Sequence, residues 1–175
     1  VAPGATGQKS IVLNYKIPIL RQRWFREALA YAINYEKIAE LVPSYPWGSP
    51  TLISTALGLF KEYANESIVS ENFETKIRGG FVQIAYDPEK AVEILKEHCE
   101  GSVEEGWTWN GEKIGPFEIM TTDWTHMVLM ITAISEDFTK IGISTSPEFV
   151  TYEMWLARHV KYDYDMSFTD YSGAG

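Results

Sequence analysis

The sequence predicts an α/β lobe with a central, mostly parallel but mixed sheet, flanked by helices and carrying a β-hairpin. Three observations predict it. From Phe117 onward, apolar segments follow the order strand, helix, strand, helix, strand, which returns parallel strands to one sheet. Asn110-Gly111 sits between two short alternating runs and is the pair a type I′ turn prefers, because both central positions need positive φ. Hydrophobic residues make up 45% and charged residues 22% of the 175 residues, ordinary globular usage in a chain long enough to bury one core.

The elements follow in order. Residues 11–15 form a short apolar strand, and residues 21–42 a helix whose buried stripe is Phe25, Leu29, Ala32, Ile33, Ala39 and Val42. Pro43 ends that helix, and residues 43–50, with three prolines, Gly48, Tyr45 and Trp47, read as a stiff loop. The passage to Gly80 reads as irregular. A helix spans residues 86–99, with Asp87 as N-cap, Pro88 in the first turn and Ala91, Ile94 and Leu95 on the apolar face. The hairpin occupies residues 107–114, with Trp107 and Trp109 as a cross-strand pair. Next come a strand at 117–121, a helix at 125–141 closed by Gly142, a strand at 143–150, a helix at 152–160 and a strand at 164–168. Trp24 and Trp155 fall on helical patterns and are assigned to packing.

Composition excludes several functions. A formal charge of −9, from 24 acidic and 15 basic side chains, repels a phosphate backbone, so no nucleic-acid partner is expected. No apolar run reaches the roughly 18 residues of a membrane span. A single cysteine, Cys99, and three scattered histidines offer no metal-ligand spacing, and no cofactor motif is present. No catalytic residue is expected. A hydrolase reading would need Glu104, Glu105 or Asp123 as an acid/base pair, yet Glu104 and Glu105 lie in an acidic run that reads as a solvated face. Val1, the Pro3, Gly4 and Gly7 connector and the glycine-rich end suggest one domain, residues 1–175, excised at hinge or linker positions of a longer protein.

Four sequence words carry a family resemblance. Arg26-Glu27-Ala28-Leu29-Ala30-Tyr31-Ala32-Ile33-Asn34 is the most specific. Tyr86-Asp87-Pro88-Glu89-Lys90-Ala91 with Ile94-Leu95, then Ile141-Gly142-Ile143, then Tyr164-Asp165-Met166 follow at fitting spacing. Together they resemble the oligopeptide, dipeptide and nickel class of extracellular solute-binding proteins, family 5, in the second lobe. The resemblance implies one lobe of a type II periplasmic-binding-protein fold. Its partners would be a missing first lobe, a small oligomeric solute held between the lobes, and an ABC permease in the membrane. It also implies a periplasmic or extracellular location, with membrane association through the permease or a lipid anchor outside this chain.

Ligands of open α/β sheets sit outside the strand ends. Three places qualify. Residues 121–126 run from a strand end into a helix N-terminus and offer Asp123 and Trp124, although Asp123 also suits a helix cap and Trp124 simple packing. His126 falls where peptide-binding members carry a cleft-facing histidine. The stiff loop offers Trp47, whose alternative is to plug the core beneath it. The last stretch offers Tyr152, His159, Phe168 and Tyr171. There, resembling peptide binders carry arginine at the positions of His159 and Phe168, tryptophan at Tyr171 and aspartate at Ala174. Burying a peptide's charged ends without partners costs several kcal/mol. These departures therefore favour a neutral cargo, an oligosaccharide over an oligopeptide. A sensor or receptor domain of the same fold is the alternative.

Overall fold

The computed structural model describes residues 7–42, 75–78 and 81–172. Strand β1 (Gly7–Leu13) leads through a 3-10 turn (Pro18–Arg21) into α1 (Arg23–Ala32) and α2 (Tyr35–Leu41). The single helix expected over residues 21–42 is thus broken, and Asn34 is the reason. Its side-chain oxygen accepts the Lys37 N–H at 3.0 Å, and its own N–H donates to the Asp137 carboxylate at 2.9 Å. A short polar side chain that offers the backbone an alternative partner restarts the helix as a cap. The break also changes the stripe: Ile38 is buried in place of Ala39, while Phe25, Leu29, Ala32, Ile33 and Val42 are buried as expected. Arg26 closes the preceding turn by donating to the carbonyls of Leu20 and Arg21, at 3.3 and 2.6 Å.

Strand β2 (Thr75–Arg78), inside the passage read as irregular, pairs antiparallel with β3 (Phe81–Ile84), just beyond it. Helix α3 (Pro88–His98) starts where expected, with the Asp87 carboxylate accepting the Lys90 N–H at 2.8 Å. A three-stranded antiparallel sheet follows, from β4 (Glu100–Ser102), β5 (Gly106–Trp109) and β6 (Glu112–Lys113). Asn110 and Gly111 take φ of 52° and 80°, as the turn between β5 and β6 requires. Trp107 and Trp109 do not pair across strands. Both lie on β5, two residues apart, because the turn begins only after Trp109; Trp107 faces Gly101 and Trp109 faces Glu112. Trp107 is buried and donates its indole N–H to the Ile141 carbonyl at 2.7 Å.

The main sheet has the order β1-β9-β7-β8, with β7 (Phe117–Thr122), β8 (Thr145–Val150) and β9 (Met166–Ser172). β7 runs parallel to β8 and β9, and β1 is antiparallel to β9. The sheet is therefore mixed and mostly parallel. Helix α4 (Thr125–Lys140) connects β7 to β8, and α5 (Tyr152–His159) connects β8 to β9. β8 and β9 flank β7 on opposite sides. Two right-handed crossovers in opposite directions place their helices on opposite faces of the sheet.

Burial follows that rule. Ile119, Met166 and Phe168 share one core with Met127, Ile131 and Phe138 of α4, and with α1 and α3. Met120, Val150 and Tyr164 share a smaller one with Trp155 of α5. Arg158 ties α5 to the sheet: its guanidinium donates to Glu118 of β7 at 2.7 Å, to Glu148 of β8, and to the Asp163 carbonyl at 3.0 Å. Partial burial, with Glu148 alongside, raises the pKa of Glu118, and the Arg158 hydrogen bond lowers that of Glu148.

Candidate binding crevice at the β7 and β8 strand ends

The two crossovers decide where a ligand can sit. Chain leaving the C-terminal end of β7 goes to α4 on one face, while chain leaving β8, its neighbour, goes to α5 on the other. Such a divergence opens a crevice outside the strand ends, at the topological switch point. Thr122 and Val150 are in register there, and the Asp123 N–H donates to the Val150 carbonyl at 2.9 Å, carrying the ladder past the strand end.

Trp124 leads into α4 from one side of this crevice and Tyr152 opens α5 on the other. Their rings meet across it, with centroids 6.1 Å apart and planes 9° from parallel. Trp124 stays 45% exposed and Tyr152 46%, so the stacked pair leaves aromatic surface open to solvent. Behind it the rings continue in a row. Tyr152 stacks on Trp155 (5.8 Å), Trp155 on His159 (4.6 Å) and His159 on Tyr164 (5.3 Å), with His126 5.9 Å from Trp124 at the other end. Tyr152, Trp155 and His159 share one side of α5 because they lie three and four residues apart.

The inner rings are fixed by one buried hydroxyl. Ser167 Oγ accepts the Trp155 indole N–H at 3.0 Å and lies 3.0 Å from His159 Nδ1. The serine hydroxyl accepts from the indole and can either donate to Nδ1 or accept from it, so it serves neutral His159 in either tautomer. Burial lowers the pKa of His159 and favours that neutral form. At the crevice itself Thr122 is 5% exposed, and its hydroxyl has no hydrogen-bond partner among the described residues.

Four of the residues singled out from sequence, Trp124, His126, Tyr152 and His159, therefore belong to one aromatic row. Asp123 is exposed beside it and caps no helix; the N-cap of α4 is Trp124, which makes no side-chain cap bond. Phe168 lies on the opposite sheet face at 5% exposure, inside the main core, where it packs and offers no surface to a ligand. Strand parity explains it: Phe168 shares a face with Met166, while Ser167 faces α5. Tyr171 is on β9 opposite Gln8, and its side chain lies outside the described part of the structure. Trp47 lies outside the described residues. Tyr164 and Ser167 escaped sequence reasoning, although the spacing of Tyr152, Trp155 and His159 was a readable signal for the row.

Among the described residues no group of three or more His, Cys, Asp or Glu side chains is placed to hold a metal ion. None of their helices is long and apolar enough to cross a membrane.

Comparison with solved structures identifies the fold. A periplasmic oligopeptide-binding protein of an oligopeptide ABC transporter from Thermotoga maritima superposes with a TM-score of 0.72 at 24% identity, covering 97% of this chain and 30% of that one. In its mannohexaose-bound form the values are 0.68, 22%, 96% and 30%. The oligopeptide-binding protein AppA from Bacillus subtilis, in complex with a nonapeptide, gives a TM-score of 0.70 at 17% identity, covering 97% and 32%. The chain thus spans about a third of the length of these proteins. No curated protein sequence matches it. Residues 3–175 match the family profile described as "Bacterial extracellular solute-binding proteins, family 5 Middle". The chain belongs to the family 5 bacterial extracellular solute-binding proteins.

Proposed function

We propose that the chain is a ligand-binding lobe of an extracytoplasmic substrate-binding protein, which captures an oligosaccharide or oligopeptide between two lobes for import by an ABC permease. The observation that carries this reading is the exposed Trp124–Tyr152 pair at the switch point of the sheet, on a chain that matches the family over residues 3–175. The role is binding rather than catalysis: the row offers stacking surfaces and holds no nucleophile paired with a base that a substrate could reach, since Ser167 is fully buried. A second lobe would supply the opposing wall, because sites that hold small ligands bury most of the ligand surface.

Small-angle scattering of the complete two-lobed protein tests it. Adding the cognate oligosaccharide or peptide should reduce the radius of gyration as the lobes close. Ligand at about a hundred times its dissociation constant should also add ~2.7 kcal/mol of stability. A protein that neither compacts nor gains stability with any member of either class is not a capture protein of this kind.

A further inference from the structure

Resting on that reading, we propose that the crevice takes a neutral carbohydrate, one sugar ring lying flat on the Trp124–Tyr152 surface with its hydroxyls directed to Asp123, Glu153 and Thr122. Three independent features select this chemistry. The first is the geometry of the platform. Two rings within 9° of parallel and 6.1 Å apart stack with an offset, and each is nearly half exposed, so part of each ring stays open to solvent. A pyranose offers apolar C–H faces to the negative face of an aromatic ring and keeps its hydroxyls at the rim. An extended peptide alternates its side chains and has no comparable flat face.

The second feature is charge. Residues 121–126 and 150–155, which line the crevice, contain no lysine or arginine but include the exposed carboxylates Asp123 and Glu153. Ionised carboxylates only accept hydrogen bonds, which suits vicinal hydroxyl donors. The same rim opposes a peptide C-terminus, whose carboxylate would leave water without a cationic partner. The third feature is Thr122. A buried hydroxyl without a partner is uncommon in folded proteins, and this one stands at the end of β7, where the crevice opens. A polyol supplies the missing partner and an apolar side chain does not.

The row behind the platform explains why the surface stays open. Tyr152 is backed by Trp155, which Ser167 locks through the indole N–H, so the outer ring cannot collapse inward without breaking a buried hydrogen bond. The binding face is thus in place before a ligand arrives, and little side-chain entropy is lost on binding.

The test is calorimetric titration of the complete binding protein with neutral gluco- and manno-oligosaccharides and, separately, with short peptides. An oligosaccharide should bind and shift the tryptophan emission. Trp124→Ala and Tyr152→Ala should each weaken binding by about tenfold, the loss of one stacking contact. Tyr152→Phe, which keeps the ring, should leave affinity within about twofold. Thr122→Val keeps shape and removes the hydroxyl, so it should weaken binding without lowering the melting temperature; an unchanged affinity would remove Thr122 from the site and overturn that part of the inference. Binding of peptides but of no oligosaccharide overturns the carbohydrate assignment and leaves the solute-binding reading intact. Oligosaccharide binding that survives both alanine variants, with their melting curves unchanged, overturns the placement on this platform. Silence from both ligand classes overturns both readings.

Discussion

Two glycines with nearly the same backbone conformation provide a controlled test of the packing that joins the hairpin to α4. Gly111 has φ of 80° and Gly142 φ of 77°. Alanine at either position accepts the left-handed conformation at a cost of about 1 kcal/mol. Beyond that the sites differ. A Cβ at Gly111 would meet nothing within 4 Å, whereas at Gly142 it would lie 2.8 Å from Val103 Cα and 2.9 Å from both the Val103 carbonyl oxygen and Trp107 Nε1. Two of those three atoms are backbone and cannot rotate away. The third belongs to the indole held by the Ile141 carbonyl, so relief there breaks a buried hydrogen bond. Overpacking of this kind adds about 1–3 kcal/mol. Gly142→Ala should therefore destabilise by about 2–4 kcal/mol and Gly111→Ala by about 1 kcal/mol. Urea unfolding followed by tryptophan fluorescence and by circular dichroism measures both, and the Trp107 environment should change only in the Gly142 variant. Equal losses in the two variants would refute the argument, because the strain they share would then be the whole effect.

Three further outcomes follow from the same geometry. Asp137 is fully buried and accepts from the Asn34 N–H and from Lys140 Nζ at 2.7 Å; Asp137→Ala should cost about 2–4 kcal/mol in urea unfolding, because it leaves a half-buried amide and a cation without their partner. For His159, burial depresses the folded pKa below the ordinary histidine value. The unfolded chain therefore binds more protons in the window between the two values, and stability should fall as pH drops through about 6.5; His159→Phe should flatten that slope between pH 5 and 7, and an unchanged slope would mean that His159 does not titrate as argued. The Arg158 hydrogen bond holds the pKa of Glu148 down, and Arg158 opposes the rise that burial gives Glu118, so Arg158→Met should raise both in the folded state. The folded variant then takes up protons ahead of the unfolded chain, and its stability deficit against the parent should narrow as pH falls from 7 towards 4. A deficit that is constant across that range would show the cluster to be electrostatically silent.

Local chemistry made several elements legible in advance. Asp87-Pro88 starts α3, Asn110-Gly111 turns the hairpin and Gly142 closes α4, because capping and positive-φ demands are met by residues within a few positions of each other. The strand-helix-strand order from Phe117 fixed a mostly parallel sheet for a similar reason, since a short connection constrains handedness. Where the sequence misled, a distant partner intervened. The break between α1 and α2 depends on Asp137, which is 103 residues from Asn34. The assignment of Phe168 failed because strand parity is set by register with β1 and β7, information no local window contains.

The candidate site divides in the same way. Aromatic residues at a strand end and at the opening of a short helix were visible in the sequence as Trp124 and Tyr152, the first with an equally good packing explanation. That they meet face to face was decided by topology: β8 and β9 add on opposite sides of β7, sending α4 and α5 to opposite faces and leaving their first residues together across one crevice. Ser167, an ordinary serine in an apolar strand, became the anchor of the row only because β9 pairs with β7 in the register that turns it towards α5. By itself the sequence determined which elements form and what kinds of surface they carry, because those depend on neighbours along the chain. Only the tertiary structure decided which surfaces face one another, because that depends on strand order and crossover direction.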